Sequence, residues 1–181
     1  MKGWIVTAAA GLLAAAAPAG AQDAADDLLS KIVNSPAPAS YRVDGARASV
    51  RSDDTVQGGK ALRVPVPGKS DKAWTTSIAS AIGKPVKKGD TLILAFWAKL
   101  AKGEAGATTA SLPFNAVQLA ADPYTPVFSG AVTIGPEWKM YEVKGKADRD
   151  YQSGMLNATL HLATGKQTID IGPVFVLNMG Q

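Results

Sequence analysis

From residue 41 to the end of the chain, side-chain character repeats with a period of two. The clearest stretch is 91–99, Thr-Leu-Ile-Leu-Ala-Phe-Trp-Ala-Lys. In an extended backbone Leu92, Leu94, Phe96 and Ala98 share one side, and Ile93, Ala95 and Trp97 the other. A segment apolar on both faces belongs in the middle of a sheet, or has one face in a lined groove. Similar segments are predicted over 61–66, 74–80, 111–120, 127–134, 139–144, 155–163 and 168–177. Between them stand turn formers: Lys88-Gly89-Asp90, Asp122-Pro123, Gly135-Pro136 and Gly165-Lys166. About nine short strands at this spacing predict an all-β, two-sheet β-sandwich or jelly roll over residues 41–181. Strands do not alternate with helices, which argues against a nucleotide-binding α/β fold.

The beginning of the chain reads differently. Lys2, an apolar run from Trp4 to Ala17 and the small residues Ala19-Gly20-Ala21 have the pattern of a secretory signal over 1–21. The expected location is therefore outside the cytoplasm, in the periplasm or the medium. Residues 22–40 form an N-terminal segment. Leu28, Leu29, Ile32 and Val33 suit a short amphipathic helix, but the same stretch could be the first strand. Pro36 and Pro38 end any helix. No later apolar run is long enough to predict a membrane span.

Several chemistries are excluded outright. With no Cys there are no disulfides, thiolate metal sites or cysteine nucleophiles. The signal-free chain carries 18 basic against 15 acidic residues with no long basic run, so no nucleic-acid partner is expected. There is one His, no Gly-x-Ser-x-Gly elbow, no His-Glu-x-x-His and no phosphate-binding glycine loop. Glu104, Glu137 and Glu142 form no recognisable pair with an Asp of the kind glycoside hydrolysis needs. The expectation is a protein that is not an enzyme.

What remains is aromatic rings and amides on strands. Sugars present flat apolar ring faces, which stack on Trp or Tyr, and hydroxyls, which bond to amides, carboxylates, Arg or His. Phe96 and Trp97 must point to opposite faces; Phe96 belongs to the more regular apolar series and takes the core, leaving Trp97 as a candidate platform. Gln118 is an amide in an otherwise apolar strand. Tyr124 and Tyr151 lie in loops, where packing explains an aromatic less readily. His161 shares a strand face with Asn157 and Thr159, either as part of a solvated sheet surface or as a groove residue.

The order Trp74, Val86-Lys87-Lys88-Gly89-Asp90-Thr91, Phe96-Trp97-Ala98-Lys99, Gln118, Asp122-Pro123-Tyr124, Trp138-Lys139-Met140-Tyr141, Leu160-His161-Leu162 and Ile169-Asp170-Ile171-Gly172-Pro173-Val174 resembles the carbohydrate-binding modules found beside cellulases and xylanases. The resemblance covers about residues 58–178 and implies a galactose-binding-like jelly roll. It also implies a non-catalytic module that holds a polysaccharide or oligosaccharide, with a separate glycoside hydrolase as a further partner. The implied ligand-binding set is Trp74, Trp97, Gln118, Tyr124, Tyr151 and His161. Such modules often carry a structural calcium ion, and Asp170 matches the acidic position of the last motif. Two other readings stay open: a structural or protein-interaction sandwich without sugar affinity, and a hydrolase of glycosyl bonds using Glu142 or Asp170.

Overall fold

A computed structural model describes residues 27–181; the signal sequence expected over 1–21 lies outside the described residues. Residues 27–30 make one helical turn, closed by Ser30 Oγ donating to the Asp27 carbonyl at 2.7 Å. The chain from Lys31 onward is a β-sandwich. Its strands are β1 (Arg42–Asp44), β2 (Ser49–Ser52), β3 (Lys60–Val66), β4 (Ser77–Ala81), β5 (Thr91–Lys102), β6 (Ala110–Leu119), β7 (Pro126–Ile134), β8 (Lys139–Lys146), β9 (Leu156–His161) and β10 (Gln167–Asn178). They form two antiparallel sheets of five, ordered β1-β4-β9-β6-β7 and β2-β3-β10-β5-β8.

The period-two pattern sets which side chains meet between the sheets. Leu92, Leu94, Phe96, Ala98 and Leu100 of β5 are buried there, with Leu62 and Val64 of β3, Ile78 of β4, Leu112 and Val117 of β6, and Leu156 and Leu160 of β9. Phe96 is fully buried and Trp97 points away from it, as the alternation requires. In β10 the parity changes. Ile169 and Ile171 face inward before Gly172-Pro173, and Val174 and Val176 after it, because one extra residue bulges between Ile171 and Val174 relative to β5. A Cβ at Gly172 would lie 2.7 Å from Val56 Cγ2 and 2.9 Å from Trp97 Cβ, so only glycine fits that bulge. At one edge β7 and β8, from different sheets, approach closely: a Cβ on Gly145 would sit 2.4 Å from the Phe128 side chain.

The segment with two readings is extended beyond the helical turn. Ile32 bridges to Leu177, the Val33 amide donates to the Val176 carbonyl at 2.9 Å, and the Val174 amide donates to the Pro36 carbonyl at 3.3 Å. Asn34 ties the two sheets together. Its Nδ2 donates to Ser80 Oγ (2.9 Å) and to the Val174 carbonyl (2.8 Å), while Oδ1 accepts from the Val176 amide (2.7 Å).

One strand expectation needs correction. Residues 74–80 are not one strand: a 3-10 turn, Ala73–Thr75, precedes β4. The Thr75 amide donates to the Lys72 carbonyl at 3.0 Å, and the Ala163 amide to the Ala73 carbonyl at 3.1 Å. These bonds curl the chain before it enters the sheet and turn Trp74 outward, while Thr76 is buried.

Candidate functional site

The outer face of β1-β4-β9-β6-β7 carries a cleft of about 850 Å³. Register lays out its floor. The middle row runs Arg42, Ala79, Thr159, Ala116 from β1 to β6. Between Arg42 and the far strand these residues are small, so the row is a trough. On one side lies Asp44, Ser77, His161; on the other, Asn157 and Gln118. Trp74 stands at the end where His161 lies, and Pro123 and Tyr124 line the cleft with Gln118.

A bulge aims the β6 residues. Leu112 pairs with Val132 and Asn115 with Gly130, so β6 carries one residue more than β7 between those pairs. Without it the alternation from inward Leu112 would turn Phe114 and Gln118 into the core. With it they face the cleft, and Asn115 turns inward. The Asn115 amide fills the bulge, donating to the Leu112 carbonyl at 3.0 Å and the Gly130 carbonyl at 2.9 Å.

The two walls are aromatic and wet. Trp74 keeps 55% and Tyr124 50% of their surface exposed, far more than a core aromatic. Tyr124 holds φ +55°, a left-handed conformation that costs a non-glycine residue about 1–2 kcal/mol. Its amide donates to the Ala121 carbonyl at 2.9 Å, closing the turn. On the floor, Phe114 stacks on His161 with ring centres 4.5 Å apart, and Trp74 meets the same imidazole at 6.2 Å and 57°.

Between these rings lie polar groups without protein partners. Among the described residues the side chains of Gln118, Asn157 and His161 make no hydrogen bond to the protein, although His161 is only 9% exposed. A polar group in such a place stays unsatisfied unless water or a ligand supplies the bond. Thr159 differs: its hydroxyl donates to the Ile78 carbonyl at 3.1 Å. Arg42 Nε donates to Asp44 Oδ2 at 3.1 Å across the open edge of the cleft.

Burial pushes the His161 pKa down to about 4. The imidazole is therefore neutral at physiological pH, with one donor and one acceptor nitrogen. The folded pKa lies below the unfolded value of about 6.5, so on acidification the unfolded chain takes the proton first. The contribution of this group to stability is complete above about pH 6.5 and declines as pH falls towards about 4. The chain has a single His, so one imidazole resonance followed by NMR reads this directly. A midpoint near 4 is expected; one near 6.5 would mean that the ring is solvated.

The structure brings together Trp74, Gln118, Tyr124 and His161 of the expected residues, and separates the other two from them. Trp97 lies on the outer face of the opposite sheet, where its Nε1 donates to Gln57 Oε1 at 2.9 Å. The turn containing Val56 and Gln57 packs over that face, so the ring that alternation sends outward is engaged there. Tyr151 is 3% exposed; it bridges to Val86 and donates its hydroxyl to the Asp148 carboxylate. Its loop position concealed a packed ring.

Asp170 is fully buried on that same opposite sheet. Arg63 clamps both its carboxylate oxygens at 2.8 Å, and Arg51 Nη1 stands 3.6 Å away. Calcium requires several oxygen ligands. Two guanidinium groups occupy that space instead, so the residues at Asp170 do not fit the ion. Among the described residues no three His, Asp or Glu side chains converge as a metal site would require. Beside it Asp53 accepts from Thr55, Lys99, Arg51 and Trp138, and the Thr55 hydroxyl above all, with Lys99 and the Thr55 amide, holds its carboxyl well below the usual carboxylate range.

Cleft residues the sequence reading passed over are Arg42, Asp44, Asp71 and Phe114. Arg42 and Asp44 sit on a three-residue strand, too short for periodicity to register. Phe114 depends on the bulge. Asn157 and Thr159 had a signal, since they alternate with His161.

No protein-family profile matches the chain, and no curated protein matches it. Solved structures do. A CBM4 domain superposes with a TM-score of 0.59 at 18% identity, covering 78% of this chain and 96% of that one. The fold is that of the carbohydrate-binding modules. The CBM22-1 xylan-binding domain of Paenibacillus barcinonensis Xyn10C gives 0.55 at 15% identity, covering 83% and 93%. The N-terminal cellulose-binding domain of Cellulomonas fimi β-1,4-glucanase C gives 0.57 at 14% identity, covering 81% and 93%. At these identities the likeness to carbohydrate-binding modules is one of fold. No helix among the described residues is long and apolar enough to cross a membrane.

Proposed function

We propose that this protein is an exported, non-catalytic carbohydrate-binding module that holds an oligosaccharide or polysaccharide chain in the cleft of the β1-β4-β9-β6-β7 sheet. One observation carries the reading: three side chains able to bond hydroxyls, Gln118, Asn157 and His161, have no hydrogen-bond partner among the described residues and lie between two half-exposed aromatic walls. Trp74 and Tyr124 stack on sugar rings; the amides and the neutral imidazole bond their hydroxyls. The small-residue trough gives the chain its path across the strands. The fold shared with carbohydrate-binding modules supports the same reading.

The cleft carboxylates support binding rather than hydrolysis. Asp44 and Asp71 line the cleft, both open to water, and Asp44 is paired with Arg42. A glycosidase acid needs an apolar, water-poor setting, and these two side chains are exposed. A module of this kind would serve a separate glycoside hydrolase by keeping polymer close to it.

The test is titration of the protein with neutral and charged oligosaccharides of increasing length, read by tryptophan fluorescence and calorimetry. Affinity should rise with chain length and level off once the chain outgrows the sheet, roughly 19 Å across from four strand spacings. Modest affinity is expected, because an open cleft buries little of its ligand. No binding across the whole set removes the proposal and leaves the protein-interaction sandwich in its place.

A further inference from the structure

We propose, resting on the carbohydrate reading above, that the chain taken by this cleft carries protonated amino sugars, with an ammonium group held between Asp71 and the Trp74 indole.

The charges in the cleft point this way. Its lining contains three formally charged side chains, Arg42, Asp44 and Asp71. Arg42 and Asp44 neutralise each other at 3.1 Å. Asp71 is exposed and makes no hydrogen bond or ion pair among the described residues. The one uncompensated charge in the cleft is thus negative, in a chain whose formal net charge is +4. It stands three residues before Trp74, on the same lip.

An indole face attracts cations through its ring quadrupole, and an adjacent carboxylate adds to the attraction. This indole already holds one: Lys72 Nζ lies 5.8 Å from its centroid, and Lys72 does not line the cleft. A ligand ammonium arriving from the cleft would satisfy Asp71 and meet the same ring. A uronate chain would meet Asp71 as a like charge, while the cation in the lining, Arg42, is paired with Asp44 and the nearby Lys72 ammonium sits over the Trp74 ring outside the lining. A neutral chain would leave the Asp71 charge unused.

The experiment compares three oligomers of equal length and linkage: glucosamine, its fully N-acetylated form and glucose. Each is titrated into the protein at about pH 6, below the ordinary range of such amines. The glucosamine oligomer is expected to bind about five- to tenfold more tightly than the glucose oligomer at low salt. That ratio should fall towards one as salt screens the pair, and in Asp71→Asn, whose thermal unfolding confirms the fold. Equal or tighter binding of the glucose or N-acetylated oligomer by the unaltered protein overturns this inference and leaves the carbohydrate reading standing. A preference that survives Asp71→Asn overturns it as well, since the amine then sits elsewhere. Binding of none of the three overturns this inference too, and the carbohydrate reading falls with it only if the wider set of oligosaccharides above also fails to bind.

Discussion

Replacing Trp74 by Ala is expected to weaken saccharide binding by about thirtyfold, the equivalent of about 2 kcal/mol of apolar ring surface no longer covered. Tyr124→Ala should have a similar effect, and the two together should take binding below detection, because the starting affinity is modest. Both rings keep half or more of their surface in water, so their removal deletes few core contacts. Unfolding free energy should change by less than about 1 kcal/mol for Trp74→Ala. For Tyr124→Gly it should rise slightly, since glycine accepts φ +55° without strain. Calorimetric titration beside urea unfolding separates the two effects. A Trp74→Ala protein that binds as the unaltered one would place the saccharide surface elsewhere.

Arg63→Ala should be strongly destabilising, by about 3 kcal/mol. Asp170 is fully buried, and two of its hydrogen bonds, both 2.8 Å, come from that guanidinium. Removing Arg63 leaves a buried charge whose nearest remaining cation, Arg51, is 3.6 Å away and shared with Asp53. Arg63→Met combined with Asp170→Leu should recover much of the loss, since an apolar pair needs no desolvation of charge. Denaturant midpoints measure both. Saccharide affinity of the folded fraction should stay as it was, because the cleft is on the other sheet. A loss under about 1 kcal/mol for Arg63→Ala would show that Arg51 alone suffices.

The sandwich was legible because burial between two layers writes itself into every second residue. The strands expected over 127–134 and 168–177 appear as Pro126–Ile134 and Gln167–Asn178. Positions whose orientation depends on distant packing were harder to read. Trp97 does point away from the core, but whether an outward ring is bare depends on the turn around Val56 and Gln57, forty residues earlier in the chain. Tyr151 sits in a loop, yet it packs against Val86. Asp170 was suggested as a metal ligand by the motif it matches, and a motif does not reveal the partner of a buried acid; Arg63 is 107 positions away. Within the cleft, Trp74, Gln118, Tyr124 and His161 could be suspected because a ring or an amide was out of keeping with its neighbours. Phe114 could not, since an unbroken alternation would have sent it inward.

The extra residue in β6 therefore has a consequence for how such a surface can diversify. Removal of one codon at Pro113 would only straighten the strand, leaving Phe114 and Gln118 in the cleft and Asn115 inside, whereas removal of one codon beyond the bulge, at Ala116, would turn Val117 outward and Gln118 inward. A point substitution at Gln118, by contrast, leaves the scaffold untouched. Ligand preference here can drift residue by residue, while the length of this one strand beyond the bulge is tightly constrained.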